Sequence, residues 1–278
     1  MSTVPKPVSD VDVIIVAHDS GVLLTEAVAS VEAQVEPGRV LVVDAGSSDG
    51  SVEAMSAAHP TVRIIPTENR GFAAANNVGI AATTGKFVLL LNPDASLEEL
   101  GLRGLVSRMS ANRTVGVVAP RVMDADGTTQ AGSYGRFPTL RVAIVMRLNR
   151  ALNVLSLGHL GKHADIAGTT PVDWVTGACM LVRRSAIEAV GPMDEGFFLY
   201  YEDIEWCHRM HDGGWTVLVE PDSCCTHHRG GSGGGSSPAA VAAYRASFYR
   251  YCKLYHLGLY ALAARIGLGT RMAVGGRG

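Results

Sequence analysis

Short apolar runs alternate with segments of helical periodicity through the first 120 residues. The apolar runs have the length of buried strands and lie at 11–18, 40–44, 62–66, 86–92 and 115–120. Segments with helical spacing lie between them, at 22–35, 72–83 and 97–109. Strands that alternate with helices indicate parallel βαβ units. The pattern therefore predicts an α/β fold with a mostly parallel central sheet flanked by helices.

The second half of the chain is less regular. A DG turn predicts a hairpin near 121–130, and the apolar runs at 173–184 and 215–221 predict two further strands. The stretch GGSGGGSSP at 230–238 is typical of a linker, and helices are expected beyond it. We therefore expect a catalytic-size domain over 1–232, followed over 233–278 by a linker and basic amphipathic helices.

Composition excludes several classes of protein. The chain has 278 residues, 47% hydrophobic and 18% charged, which describes a folded globular protein. Its net charge of −2 gives no general attraction for nucleic acid. The five cysteines have no CxxC spacing, and no signal peptide or membrane-spanning run is apparent. These features predict a cytoplasmic protein, either monomeric or a homo-oligomer.

Two segments are basic and contain no acidic residue. One lies between Asp126 and Asp165, and the other runs from Pro238 to the end, where arginines alternate with aromatic residues. Such segments are typical of peripheral association with an anionic membrane surface. Amphipathic helices that pack on the domain would show the same pattern.

Two common nucleotide-binding motifs are missing. The first strand is followed by AHDSGVLL, which has one glycine and cannot form the GxGxxG turn. GIAATTGKF resembles a P-loop but has one residue too many between its glycines, and Phe87 replaces the magnesium-binding hydroxyl. Instead, Asp44 and Asp94 each follow a strand. Each is either a ligand for a base or a metal ion, or a residue that stabilises a turn or caps a helix.

The order of several short motifs resembles a known family. VVDAGSSDG, ENRGFAAANN, LLNPDA, the EDIEWCHR stretch and HHRGGS follow one another as in family 2 inverting glycosyltransferases of GT-A fold. The resemblance covers roughly residues 11–232. It is greatest to the rhamnosyltransferase branch that acts on N-acetylglucosaminyl-diphospho-polyprenol in mycobacterial-type cell-wall assembly.

The resemblance implies a set of donor-binding residues. Asp44 matches the aspartate that contacts the base, beside the turn formed by Ala17, His18 and Asp19. The segment that lines ribose and diphosphate corresponds to four positions, namely Asn69, Gly71, Phe72 and Asn76. The family's DxD metal motif is reduced here to Asn92-Pro93-Asp94. Asp94, with His227 of HHRGGS, is the implied site for Mg²⁺ or Mn²⁺.

The stretch FFLYYEDIEW places acids among aromatic residues. By resemblance Asp203 is the general base, and its neighbour Glu202 faces the acceptor together with Trp174, Gly177 and Trp206. The alternative is that these acids occupy the first turn of a helix and complement its dipole. For Glu205 we expect that alternative, as a surface pair with Arg209.

The implied reaction moves L-rhamnose from dTDP-L-rhamnose to a lipid-diphosphate-linked N-acetylglucosamine. Three alternatives stay open at this point. A relative of the same fold could use a UDP-sugar, and a non-catalytic relative could bind glycans without turnover. A nucleotidyltransferase would need a basic triphosphate loop near the first strand, and AHDSGVLL contains no Lys or Arg.

Overall fold

A computed structural model describes residues 6–137, 166–228, 237–258 and 261–262. The strands are β1 Val11–Ala17, β2 Val40–Asp44, β3 Arg63–Pro66, β4 Phe87–Leu91, β5 Ala95–Leu97, β6 Val115–Met123, β7 Tyr134–Gly135, β8 Thr170–Val172, β9 Trp174–Val175, β10 Cys179–Arg183 and β11 Thr216–His227. The helices are α1 Leu23–Glu32, α2 Ser51–Ala58, α3 Phe72–Ala81, α4 Gly101–Ala111, α5 Arg184–Val190, α6 Glu202–Asp212 and α7 Pro238–Leu254. The order alternates strand and helix from β1 through β4, as the periodicity predicts.

The central sheet is mixed. Its strand order is β3-β2-β1-β4-β10-β6-β11-β5, and β8 pairs with β11. The first four strands in that order run parallel, as do β6 and β11. Strand β10 runs antiparallel between β4 and β6. The start of β10 consequently lies at the edge of the sheet where the parallel strands β1, β2 and β4 end.

Each face of the sheet is covered by helices. Along β1, Val13 and Ile15 face a core that includes side chains of α1, α2 and α4, whereas Ile14 faces a core with side chains of α3, α5 and α6. Strands covered on both faces read as continuous apolar runs, which is why 11–17 shows no polar alternation. Both cores exclude water from the strands and leave their carboxyl ends as the open edge.

Three expected elements differ from the structure near that edge. The helix expected over 97–109 begins at Gly101, because residues 95–97 form β5. The strand expected at 215–221 continues to His227, where it pairs antiparallel with β5. The single run expected over 173–184 is two strands, β9 and β10, separated at residues 176–178. Each of these boundaries depends on the strand with which the segment pairs, and that strand is distant in sequence. Local periodicity contains no information about such pairing.

The C-terminal helix α7 packs against the domain. Its Phe248, Tyr251 and Cys252 form a buried cluster with Phe197 and Tyr201, just before α6. This face of α7 is therefore covered by protein, as in the alternative that the basic helices pack on the domain. The basic segment 138–165 and the end of the tail, 263–278, lie outside the described residues. Within the described residues, no helix combines the length and the apolar character needed to cross a bilayer.

Candidate active site

The first two strand ends are joined by hydrogen bonds between their loops. The Asp19 carboxylate accepts from the Ser48 amide at 2.7 Å, and the Asp49 carboxylate accepts from the Gly21 amide at 2.9 Å. Asp44, half-buried at the end of β2, accepts from the Ser47 amide at 2.8 Å. This is the turn contact that Asp favours, and it engages Oδ1. Ala17 is buried beneath these loops, whereas His18 is exposed at their rim.

The segment before α3 closes tightly against the residues that precede α6. The Phe72 amide donates to the Phe198 carbonyl at 2.8 Å. Gly71 has a φ of +100°, and a Cβ added there would collide with the Phe198 carbonyl oxygen. Only glycine tolerates both conditions. Asn69 accepts from the Gly71 amide at 3.2 Å, and the buried Asn76 donates to the Phe72 carbonyl at 2.9 Å, so both side chains shape this turn.

Asp94 and His227 come together although they are far apart in the chain. Because β5 pairs with β11, Ala95 lies opposite His227. His227 Nε2 is 3.2 Å from Asp94 Oδ1 and 3.3 Å from Asn92 Nδ2. Asp94 is therefore followed by a strand, and the expected helix-capping alternative for it is not realised. Among the described residues, the buried oxygens Asn92 Oδ1 and Asp94 Oδ1 accept no hydrogen bond.

Gln130, a residue that the sequence analysis does not single out, fixes the His227 ring. Its Nε2 donates to Asp124 Oδ1 at 2.6 Å, so its Oε1 is left to accept from His227 Nδ1 at 2.8 Å. With the proton on Nδ1, Nε2 is unprotonated and lies near both Asp94 Oδ1 and the Asn92 amide nitrogen. Histidines that bind a metal usually donate their other ring N–H to a second residue in this way. The only feature of the sequence that indicates this role of Gln130 is its position just after the DG turn.

The donor set near Asp94 fits a divalent cation. It consists of one carboxylate, one imidazole nitrogen and one unsatisfied amide oxygen, all reachable by a hard or borderline metal ion. Within the described ranges, no group of three or more His, Cys, Asp or Glu side chains is gathered at metal-binding distance. A metal at this position would therefore depend on substrate oxygens or water for the rest of its ligands.

Asp203 lies in the first turn of α6 and points to the same edge of the sheet. Its Oδ2 accepts from the Gly177 amide at 2.9 Å, and its Oδ1 accepts from the Ile204 amide at 2.7 Å. Ala178, the next residue after Gly177, accepts from the Asn92 amide at 2.9 Å. Burial raises the pKa of Asp203 and outweighs the backbone hydrogen bonds that lower it. The result is a carboxylate with an increased affinity for protons.

Glu202 is buried beside Asp203. Its Oε2 accepts no hydrogen bond within the described part of the chain. Burial, and then the charge of Asp203, raise the pKa of Glu202 well above its ordinary value. Glu202 therefore has a higher affinity for protons than an exposed glutamate, and the neighbouring Asp203 contributes to it.

The two tryptophans expected at the acceptor side differ. Trp174 is partly exposed, with its ring against Gly135 and its indole donating to the Arg136 carbonyl at 3.0 Å. Trp206 is fully buried, and its indole donates to the Gly191 carbonyl at 2.9 Å. Helix α6 must bury one face on the sheet, and Trp206 lies on that face. The expected contact between Trp206 and an acceptor is therefore wrong, and Trp206 supports the site from beneath.

Glu205 also departs from its expected environment. It pairs with Arg209 at 2.9 Å, as the i,i+4 spacing predicts. The pair is not on the surface, however, because Glu205 is 5% exposed and Arg209 reaches the carbonyls of Val190 and Pro192. This pair fixes the inner face of α6 and thereby the position of Asp203 on its outer end.

Comparison with known proteins identifies the family of the chain. A family model described as Glycosyl transferase family 2 matches residues 12–191. The chain is 29% identical over 227 residues to the N-acetylglucosaminyl-diphospho-decaprenol L-rhamnosyltransferase of Mycobacterium tuberculosis (strain ATCC 25618 / H37Rv), covering 76% of this chain and 73% of that protein. It is 28% identical over 151 residues to Rhamnosyltransferase WbbL of Escherichia coli (strain K12), covering 52% and 55%.

Solved structures share the fold at low identity. GalNAc-T7 with UDP, GalNAc and Mn²⁺ matches with a TM-score of 0.61 and 17% identity, over 87% of this chain and 47% of that one. The mannosyltransferase PcManGT from Pyrobaculum calidifontis, in complex with GDP-Man and Mn²⁺, matches with a TM-score of 0.54 and 21% identity, over 78% and 56%. The chain thus spans about half the length of these two. The predicted α/β fold of GT-A type is confirmed.

We expect Gly71→Ala to destabilise the protein more than an alanine at another glycine of positive φ. A left-handed backbone costs an ordinary residue about 1–3 kcal/mol, and at Gly71 the collision with Phe198 adds to this. Gly38→Ala is the matched control, because Gly38 has a φ of +79° in open space. Urea unfolding measures both, and equal losses of unfolding free energy would contradict the close approach.

We expect Glu202→Gln to gain stability over wild type as the pH rises. The raised pKa of Glu202 means that its contribution to stability is full below the unfolded value near 4.5 and is lost at higher pH. Glutamine does not titrate, so the Tm difference between the variant and wild type should grow between about pH 4.5 and 8. It should grow by roughly 2–4 °C for each kcal/mol of unfolding free energy that the wild type loses. The exposed Glu26→Gln is the control. If the Tm difference between Glu202→Gln and wild type did not depend on pH, ionisation of Glu202 would carry no cost in folding stability.

Proposed function

Because the chain belongs to glycosyl transferase family 2 and is a glycosyltransferase, we propose that it is an inverting rhamnosyltransferase. Its donor would be dTDP-L-rhamnose, and its acceptor would be a polyprenyl-diphosphate-linked N-acetylglucosamine. The similarity to two rhamnosyltransferases supports the sugar, and the name of the mycobacterial relative supports the acceptor. The observation that carries the proposal is Asp203, a partly buried carboxylate with backbone partners at the edge of the sheet where the donor loops meet.

Asp203 would act as the general base. In a single displacement, the acceptor hydroxyl attacks the anomeric carbon, its proton passes to the Asp203 carboxylate, and the bond to the nucleotide diphosphate breaks on the opposite face. The raised pKa of Asp203 favours this proton transfer. The backbone amides of Gly177 and Ile204 orient the carboxylate, which restricts its motion before the reaction.

The donor would lie across the ends of β1, β2 and β4. Asp44 has one carboxylate oxygen engaged in its turn, and the other would accept from a pyrimidine N–H. The diphosphate would lie near the start of α3, where the positive end of the helix dipole favours an anion. Gly71 would act indirectly, because its lack of a Cβ lets this turn pack against the Phe198 carbonyl. Asn69 and Asn76 would act by holding this backbone, since their amide groups are used within the turn.

Asp94, His227 and the Asn92 amide oxygen would hold Mg²⁺ or Mn²⁺. The ion would offset the negative charge that develops on the departing diphosphate. Gln130 would keep the His227 ring in the tautomer whose unprotonated Nε2 lies near Asp94. A single carboxylate with substrate phosphates is sufficient for magnesium in other proteins.

On the acceptor side, the partly exposed Trp174 would offer a ring edge for sugar contact, and Gly177 would act through its amide, which holds the Asp203 carboxylate. Glu202, with its raised pKa, would donate a hydrogen bond rather than accept one. A lipid-linked acceptor would place the protein at the cytoplasmic surface of a membrane.

We expect dTDP and dTDP-L-rhamnose to raise the Tm in the presence of Mn²⁺. Ligand at a hundred times its Kd adds about 2.7 kcal/mol to the stability of the folded state. The panel also contains UDP, GDP, ADP and UDP-sugars. Stabilisation by UDP-sugars above dTDP-rhamnose would replace the proposed donor, and no response to any nucleotide would favour a relative that binds glycans without turnover.

We expect Asp203→Asn to lose transfer of rhamnose to a lipid-linked acceptor by about a hundredfold or more, because the acceptor hydroxyl has no base. Donor binding, followed by the same thermal shift, should remain within twofold of wild type. Asp212→Asn, at the exposed end of the same helix, is the control. If Asp203→Asn kept wild-type turnover while folded, the assignment of the base would be wrong.

We expect Gln130→Ala to weaken Mn²⁺ binding about 10- to 100-fold in the presence of dTDP, because the outer partner of a metal-bound histidine sets its orientation. His227→Ala should weaken it at least as much. Mn²⁺ titration followed by electron paramagnetic resonance measures both variants without turnover. Thr128→Ala, exposed on the same hairpin, is the control. Unchanged Mn²⁺ affinity in His227→Ala would remove the histidine from the metal site.

A further inference from the structure

Residues 192–201, here called the base loop, lead directly into the helix that carries Asp203. The loop ends in two tyrosines, Tyr200 and Tyr201, each with a φ of +68°. Left-handed backbone at a bulky residue persists only where surrounding contacts enforce it. Tyr201 is also the N-cap of α6, two residues before Asp203. The conformation of this loop therefore sets where the carboxylate lies.

On one side, the base loop is held by the donor-binding segment. The Phe198 carbonyl accepts from the Phe72 amide, and Asn77 of α3 exchanges hydrogen bonds with the backbone of Met193 at 2.9 and 3.0 Å. Arg70 also pairs with Glu195 at 2.7 Å. These contacts attach the loop to α3.

On the other side, the base loop is held by α7. Arg250 donates to both oxygens of Asp194 at 3.0 and 2.7 Å, and its guanidinium lies 5.1 Å from the centre of the Phe197 ring. The Gly196 backbone lies so close to this guanidinium that a Cβ there would collide with it. Both hydrogen bonds to Asp194 come from one nitrogen, Nη2, so the planar guanidinium bridges the carboxylate and the Phe197 ring.

Three further contacts of α7 reach the strained end of the loop. Ser247 donates to the Leu199 carbonyl at 2.8 Å, and the Tyr244 hydroxyl is 3.3 Å from that of Tyr201. The Tyr201 ring also packs edge-on against Phe248, with 5.8 Å between ring centres. The helix thus contacts the loop at both ends, and two of these contacts are to Tyr201, a tyrosine of positive φ.

We propose that α7 is a positioning element for the base, and that Arg250 and Ser247 are positioning residues that hold Asp203 in line with the acceptor. This inference rests on the proposed role of Asp203. The helix touches the base loop, and the donor-binding turn lies on the other side of that loop. Loss of its contacts should therefore slow the chemical step without weakening donor binding.

We expect Arg250→Ala in the full chain to lower kcat about 10- to 100-fold, since small displacements of a catalytic group have effects of this size. The Kd for dTDP with Mn²⁺ should change less than twofold. Arg250→Lys should recover only part of kcat, because an ammonium can bind Asp194 but lacks the planar group that lies over the Phe197 ring. Arg245→Ala, on the exposed face of α7, should behave as wild type.

A double-variant cycle shows whether the Asp194 contact carries the effect. If it does, Asp194→Ala with Arg250→Ala should lose no more activity than either change alone. Ser247→Ala removes only the bond to Leu199, so it tests the same idea if Arg250→Ala does not fold. Wild-type kcat in folded Arg250→Ala and Ser247→Ala would overturn the proposal.

Hydrogen exchange separates this inference from the proposed reaction. In Arg250→Ala, amides of residues 197–205 should exchange faster than in Arg245→Ala, while those of β1 and β2 should not change. Unchanged exchange at 197–205 would overturn the role of α7 even if the wild type transferred no sugar. If exchange at 197–205 is faster in Arg250→Ala but the wild type transfers no sugar from any donor, the support of the base loop by α7 still holds. In that case only the proposed function is contradicted.

Discussion

The antiparallel placement of β10 beside β4 is the constraint on which the site depends. It brings the start of β10 to the edge where the parallel strands end, so that Ala178 accepts from the Asn92 amide and Gly177 donates to Asp203. One short turn thereby joins the segment leading to Asp94 with the helix that bears the base. That strand thereby adds a direct hydrogen-bonded link from Asn92 to Asp203 to the packing of α6 on the sheet.

Acidic side chains in this protein divide by how their charge is balanced. Those that maintain the fold have arginine partners: Asp12 with Arg39, Asp194 with Arg250, Glu205 with Arg209 and Glu220 with Arg108. Those at the edge of the sheet are held differently. Asp203 is held by backbone amides and Asp94 lies beside a histidine, while Glu202 leaves one buried oxygen without a donor among the described residues. Buried acids without a cation are costly to a fold, and sites that use charge tolerate that cost.

Periodicity was sufficient to predict the βαβ half of the fold and the positions of Asp44 and Asp94 at strand ends. It failed where a strand pairs with a distant partner. The segment 95–97 has the composition of a helix start, yet it forms β5 because β11 supplies hydrogen bonds along it. The same pairing places His227 beside Asp94. The orienting role of Gln130 was beyond prediction, since one glutamine after a turn has no local signal for what its amide will meet.

By itself the sequence determined which segments are buried on both faces, where the chain turns, and which acids follow the strands. These depend on side-chain polarity and on residues near in sequence. Only the tertiary structure decided that Trp206 is a core residue, that Glu205 is buried with Arg209, and that α7 packs on the loop before Asp203. A helix pattern specifies an apolar face but not what covers it, because the covering surface comes from residues tens of positions away in the chain.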